Sequence, residues 1–280
     1  MTSTTTPAAA DAVAHAEQGS AHMTGRRPKL AVWKFASCDG CQLSLLDIED
    51  ELLRLVSTVE ICYFPEVTST VVEGPYDVSL VEGSVTTPHD VERAQQVRAA
   101  SRFVVAIGAC ATSGGIQSLR NYASLGDYVS AVYANPAYID SLATSWPISK
   151  YVQVDFELRG CPVDGYALLE VLTAYVAGRA PRIPGFAVCQ ECKAAGNVCV
   201  LVANRGACLG PVTRAGCGAL CPSVNRGCFG CYGPASTVNT PSLAARLMAD
   251  GAGGQQVRRL FRTFTAGAPE FAKESQAHDA

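Results

Sequence analysis

The order of apolar runs along this chain predicts an α/β fold: a doubly wound parallel sheet, flavodoxin-like in outline, followed by a C-terminal cysteine-rich module. Two observations carry that expectation. Between residues 29 and 180, short apolar runs alternate with stretches whose apolar residues recur at helical spacing, the pattern of strand and crossover helix. Beyond Pro181 and Pro184 the periodicity fades and cysteine takes over, with eight between residues 189 and 231.

In chain order, residues 1–28 are rich in Thr, Ala and Ser without an apolar period, and are expected to be a disordered tail. Residues 30–35 form a first strand that breaks into Ser37-Cys-Asp-Gly-Cys41. Leu43, Leu46, Ile48, Leu52, Leu53, Leu55 and Val56 follow at helical spacing. Residues 59–64 and 77–81 are the second and third strands. Thr87 caps a helix with Pro88 in its first turn, running to about Ala100. Residues 103–107 are continuously apolar, as a strand covered on both faces is. Residues 152–158 make a fifth strand and 163–176 a helix. The domain of residues 29–180 ends there. Residues 181–240, rich in Gly and Cys, are too poor in apolar side chains to order themselves without bound metal. Residues 241–280 read as short helices, over 243–248 and 257–264, and a polar tail.

Charge is nearly balanced, 22 Lys and Arg against 25 Asp and Glu, without a basic cluster, which argues against nucleic acid or an anionic membrane as partner. No run reaches the roughly 18 apolar residues of a membrane span. Thirteen cysteines in an oxidising compartment would read as disulfides. No Sec-type signal is present, however, and the apolar stretch after Arg26-Arg27 is too short for a leader, so a cytoplasmic protein is expected. The four histidines are His15, His22, His89 and His278; such scarcity favours all-thiolate metal sites.

Cys38 and Cys41 follow the first expected strand, Cys110 the fourth and Cys161 the fifth. Doubly wound folds gather their ligands at the carboxyl ends of the strands, so these four thiols are expected to converge. Gly108, Gly114, Gly115 and Gly160 let the backbone approach and offer N–H donors to sulfur. The downstream set is Cys189, Cys192, Cys199 and Cys208, then Cys217, Cys221, Cys228 and Cys231, with two Cys-x2-Cys pairs and one Cys-Pro. Ferredoxin-type clusters share these features, and zinc knuckles share the Cys-x2-Cys pairs. The spacing does not divide the eight into quartets. Cys62, inside a strand, reads as a core thiol. The other twelve make three sets of four, the requirement of three 4Fe–4S clusters.

Ser37-Cys-Asp-Gly-Cys-Gln-Leu-Ser44, Leu80-Val-Glu-Gly-Ser84, Ile107-Gly-Ala-Cys-Ala-Thr-Ser-Gly-Gly115 and Arg159-Gly-Cys-Pro162 occur in this order. Together they resemble the small, electron-transferring subunit of NiFe hydrogenases. The eight-cysteine extension is similar to the cytoplasmic branch with NADP-reducing (sulfhydrogenase) delta subunits and the gamma subunits of F420- and viologen-reducing enzymes. The resemblance implies that Cys38, Cys41, Cys110 and Cys161 hold a proximal 4Fe–4S cluster, with Glu82 near it, and that the tail cysteines hold a medial and a distal one. It further implies an obligate hetero-oligomer, with a NiFe large subunit on one side and iron–sulfur or flavin NAD(P)-reducing subunits on the other. The respiratory quinone-oxidoreductase relative has adjacent cysteines where this chain has Cys38-Asp-Gly-Cys41, and lacks the extension. Arg226-Gly-Cys-Phe-Gly-Cys231 looks like one nickel motif, but the second Cys pair such a site needs near the C-terminus is missing, so the catalytic metal is expected on another chain. Residues 108–115 are glycine-rich after a strand yet lack a dinucleotide fingerprint. A non-enzymatic iron–sulfur or zinc adaptor is the alternative of a different class.

Overall fold

The structure, a computed structural model, describes residues 26–279. The expected tail over 1–28 lies outside this range except for its last three residues. Five strands form one parallel sheet: β1 (Lys29–Lys34), β2 (Glu60–Tyr63), β3 (Tyr76–Glu82), β4 (Ser101–Ile107) and β5 (Phe156–Leu158). Their order is β2-β1-β3-β4-β5, the doubly wound order of flavodoxin-like folds. β3, paired on both sides, is buried at every residue. The register sets Lys34 beside Glu82, Glu82 beside Ile107 and Ile107 beside Leu158. Four strands therefore end in one row, and the loops after them open on the same edge.

One face of the sheet packs Leu30, Val32, Leu80, Val105 and Ile107 against Leu45 of α1 (Gly40–Leu46), Leu55 of α2 (Glu49–Thr58), and Leu168 and Leu172 of α6 (Gly165–Val176). The other face packs Val81, Val104 and Ala106 against Ala94 and Val97 of α3 (Pro88–Ala100) and against Ile148. The chain between β4 and β5 holds α4 (Gly108–Ser113), a 3-10 turn (Ile116–Tyr122) and α5 (Leu125–Val132), which buries none of its residues.

α3 forms as expected. Asp90 N–H donates to Thr87 Oγ1 at 3.1 Å and Thr87 N–H to Asp90 Oδ2 at 2.9 Å, a complete capping box with Pro88 in the first turn. The run over 43–56 is two helices, because Glu49, Asp50 and Glu51 open a new N-terminus, where acidic side chains are favoured. α6 presses on the joint: a Cβ on Gly165 would lie 2.5 Å from the Ser44 carbonyl oxygen and 2.6 Å from Ile48 Cγ2. β5 is shorter than expected, since the Asp155 carboxylate takes the Val104 N–H at 2.7 Å and the ladder starts only at Phe156.

The cysteine-rich stretch carries three short helices: α7 (Val188–Ala194), α8 (Val200–Ala203) and α9 (Leu220–Ser223). The end of the chain has three helices: α10 (Thr240–Ala249), α11 (Gly254–Phe261) and α12 (Pro269–Gln276), the last in place of the expected polar tail. Leu243 and Leu247 of α10, Phe261 of α11 and Phe271 of α12 share one core with Val188, Leu209 and Val212. The cysteine-rich stretch thus obtains its apolar core from the helices that follow it.

Candidate iron–sulfur sites

The loop after β1 turns through Asp39, which adopts a left-handed conformation (φ 66°) and starts α1. Its conformation is held by a hydrogen bond from Ser37 Oγ and an ion pair with Lys34. Cys38 is left exposed and Cys41 buried. Glu82, at the end of β3, lies beneath: Oε1 accepts the Cys41 N–H at 3.0 Å, and Oε2 accepts from Gln42 Nε2 at 2.6 Å. Both Glu82 and Gln42 are buried, and Gln42 Oε1 has no partner among the described residues.

Cys110 lies in α4, and Ala109 N–H donates to the Gly160 carbonyl at 2.7 Å, which ties the Cys110 turn to the Cys161 turn. Glycine is required here. Gly108 has φ 84° and a Cβ would strike Cys41 Sγ; Gly115 has φ 62° and a Cβ would lie 2.6 Å from Cys110 Sγ. Gln117, which sequence reasoning missed, braces the site. Its Nε2 donates to the Ala36 carbonyl at 2.7 Å, and its Oε1 lies 3.5 Å from Cys110 Sγ. Burial pushes the Cys41 thiol up, with the charge of Glu82 and the neighbouring Cys110 and Cys161 adding to it. Burial pushes Cys110 up to about 11, with Cys161, Cys38 and Glu82 among its neighbours. Burial and the nearby Cys38 also raise Cys161.

The tail cysteines divide by proximity. Cys189, Cys192, Cys199 and Cys208 line one cavity, beside Val200 and Pro222. Burial raises Cys189 to about 11, with the Cys208, Cys192 and Cys199 thiols as its neighbours. Cys231 is raised to about 12 by burial, with Cys217, Cys161 and Cys221 beside it. Cys228 is raised to about 12 by burial, with Cys208 and Cys231 near. Amide donors surround the sulfurs: Cys228 N–H and Gly210 N–H lie 3.2 and 3.4 Å from Cys208 Sγ, and Gly230 N–H 3.5 Å from Cys228 Sγ. Glu191, also missed from sequence, joins the two groups. It lies between Cys189 and Cys192, yet accepts from Gly216 N–H at 2.8 Å and Ala219 N–H at 3.3 Å, on either side of Cys217. Among the described residues no disulfide occurs, and no three His, Cys, Asp or Glu side chains are arranged to hold a single metal ion. Cys62 is fully buried in β2, away from these groups, against Ala31 and Tyr76.

A catalytic or redox-sensing cysteine has its thiol pKa lowered. The thiols with a shift here are raised by burial, the opposite of what such chemistry needs. The donor sets, all sulfur, with glycines where a side chain would intrude and amides facing the sulfurs, fit thiolate-ligated iron–sulfur clusters.

The family described as NADH ubiquinone oxidoreductase, 20 Kd subunit, matches residues 38–175. The chain is 37% identical over 236 residues to the sulfhydrogenase 2 subunit delta of Pyrococcus furiosus, covering 84% of this chain and 98% of that protein. It is 30% identical over 214 residues to the coenzyme F420 hydrogenase subunit gamma of Methanococcus voltae, covering 69% of this chain and 82% of that one. Among solved structures, an NAD+-reducing [NiFe]-hydrogenase in its H2-reduced state has a chain that superposes with a TM-score of 0.53 at 31% identity, covering 57% of this chain and 96% of that one. The [NiFeSe]-hydrogenase of Dm. baculatum, 16% identical with a TM-score of 0.54 over 75% of this chain and 95% of that one, shares the fold. Among the described residues no helix is long and apolar enough to cross a membrane. The strand-end motifs, the sheet order and these relationships together place the chain in the hydrogenase small-subunit family.

Proposed function

We propose that this chain is the electron-relay subunit of a cytoplasmic NiFe hydrogenase, joining a large subunit that carries the NiFe site to a flavin or iron–sulfur module that reacts with NAD(P). Three 4Fe–4S clusters bound to the twelve thiols would supply single-electron carriers. The observation that carries the reading is the succession of the thiol groups. Arg159 Nη1, two residues before Cys161, donates to the Pro234 carbonyl at 3.3 Å, three residues after Cys231, which supports placing Cys38, Cys41, Cys110 and Cys161 next to Cys217, Cys221, Cys228 and Cys231. The second group adjoins Cys189, Cys192, Cys199 and Cys208 through Cys228 and Cys208. We assign these as the proximal, medial and distal ligand sets, so the set that comes second in sequence lies in the middle. Residues 29–180 then form the proximal domain and 181–240 the two-cluster module, closed by the helices after it.

The chain's own residues hold this line in place. Glu82 fixes the Cys41 amide, Gln117 the loop leading to Cys38, and Glu191 the loop around Cys217. Relatives include both a sulfhydrogenase delta subunit and a coenzyme F420 hydrogenase gamma subunit, which supports a hydrogen-linked role and leaves the F420- or heterodisulfide-linked acceptor as the second reading. The test is electron paramagnetic resonance of the anaerobically purified complex under hydrogen, beside a dithionite-reduced sample. Signals from three clusters under hydrogen are expected. Signals with dithionite alone, from a preparation whose nickel site is intact, would instead point to an adaptor.

A further inference from the structure

Where the sheet domain meets the cysteine-rich stretch, two arginines share one carboxylate. Arg159 opens the motif Arg159-Gly-Cys-Pro162, two residues before Cys161. Its Nη1 donates to the Pro234 carbonyl at 3.3 Å and its Nη2 to Glu157 Oε2 at 3.2 Å. Arg214 stands three residues before Cys217, and its backbone N–H donates to the Gly233 carbonyl at 2.9 Å. A Cβ on Gly233 would lie 3.6 Å from Arg159 Nη1. Both arginines therefore flank the turn through Gly233 and Pro234 that follows Cys231.

Arg214 is poorly satisfied for a guanidinium. Among the described residues its side chain donates to the Pro184 carbonyl alone, at 3.4 Å, and its buried Nε has no partner. Burial pulls its pKa down, Arg159 pulls it further, and Glu157 opposes them. Glu157 is the carboxylate set against both guanidiniums, so among the described residues one positive charge in this seam lacks a counter-charge. A charge left so is costly unless an anion lies beside it. An iron–sulfur cluster held by four thiolates is such an anion, and the seam runs from the Cys161 turn to the segment after Cys231.

We infer that Arg214, with Arg159, is the counter-charge of the cluster seated by Cys217, Cys221, Cys228 and Cys231, and sets its reduction potential. This role rests on the relay reading and names the residues that let the middle carrier accept an electron. Reduction adds one electron, drawn from hydrogen through the partner's site, and one negative charge, with no bond made or broken. A fixed cation nearby favours the more negative, reduced form and so raises the potential, while Glu157 works against it. Charges held in a half-buried seam are screened little by salt, so the effect persists at ordinary ionic strength.

The experiment is a potentiometric titration of the intact complex, poised anaerobically with dithionite and redox mediators and read by electron paramagnetic resonance. The signal to follow is the one that Cys231→Ser removes. Its midpoint should fall in Arg214→Met, stay near the parent in Arg214→Lys, and rise in Glu157→Gln. The opposite signs separate charge from packing, because loosening the seam exposes the cluster to water and shifts both variants the same way. A midpoint unmoved by Arg214→Met, or moved in one direction by Arg214→Met and Glu157→Gln alike, would overturn this role. So would loss of a subunit from Arg214→Met with the midpoint unchanged, which would assign the spare charge to a partner's carboxylate. If Arg214→Met does not load its clusters, Arg159→Met and Glu157→Gln, with shifts expected down and up, decide the matter. A failed relay reading shows separately, as a parent complex whose signals appear with dithionite but not with hydrogen, and the titration still reads the arginines.

Discussion

Glu82 shows how a single side chain prepares a cluster seat. Burial raises its carboxyl, opposed by the hydrogen bonds from Gln42 and the Cys41 amide. Replacing Glu82 with Gln keeps an acceptor for Cys41, and the new amide can donate to a turned Gln42, whose Oε1 is otherwise unpaired. Glu82→Gln should therefore fold with iron content unchanged, while Glu82→Ala leaves two buried donors unpaired and costs about 1–3 kcal/mol in urea unfolding. Hydrogen turnover in Glu82→Gln then reads any role in proton or potential control free of misfolding. Gly115→Ala pushes on Cys110 Sγ and Cα at positive φ, and should remove about four irons per chain by metal analysis, the content of one cubane. The cysteines were legible because thiol spacing is local and strand ends are predictable. Gln117 and Glu191 were not, since an amide or carboxylate gains its role only from contacts with Ala36 or Gly216, which the fold supplies.

A second residue-scale case sits at the opposite end of the sheet. Asp77 is buried, which pulls its carboxyl up, but bonds from Arg26 and the Lys29 amide and the charges of Arg26 and Arg102 more than offset this and hold it below its ordinary value. A depressed carboxyl contributes stability above its unfolded pKa, about 3.9, and loses that contribution as pH falls through the folded value. Asp77→Asn should cost about 1–3 kcal/mol near neutral pH. The gap between variant and parent should close as pH falls through the lowered folded value. Chemical denaturation along a pH series measures both; a gap constant with pH would show that packing, not charge, sets the cost.

At the scale of elements, the helix α3 was readable to the residue, because Thr87, Pro88 and Asp90 encode its start locally. The joint between α1 and α2 was not, since the apolar spacing runs through it and the break depends on α6 packing against Ile48. α12 escaped notice for another reason. Its one large apolar residue is Phe271, and its inner face is completed by buried polar groups, Ser275 bonded by Arg262 and Glu274 by His278. Phe271 is fully buried and edge-on to Phe261 at 5.5 Å, and its ring lies 3.2 Å from where a Cβ on Gly230 would stand. Phe271→Ala should cost about 3–5 kcal/mol. Because the cavity opens between the C-terminal helices and the Cys228–Cys231 loop, the loss should register as faster hydrogen exchange in that loop as well as in α12. Exchange confined to α12 would show that the module does not depend on the helix for its core.

For the molecule as a whole, the relay proposed above makes a line of its three thiol groups only because the chain doubles back. The 189–208 group comes first after the sheet domain, but the 217–231 group is followed by the segment tied to the Cys161 turn, where Arg159 donates to the Pro234 carbonyl. No spacing rule foretold this, since Cys-x2-Cys pairs stand at both ends of the eight and the neighbours that matter are set by the turn through Gly210 and Thr213. In that line the middle group has two neighbours and each outer group one, which gives the order a magnetic signature under hydrogen. Replacing Cys231 with Ser should remove one paramagnetic signal and narrow both of those that remain, because each loses its coupling partner. Replacing the exposed Cys199 with Ser should remove one signal and narrow only one. If Cys231→Ser narrowed a single signal and Cys199→Ser narrowed two, the 189–208 group would be the middle of the relay.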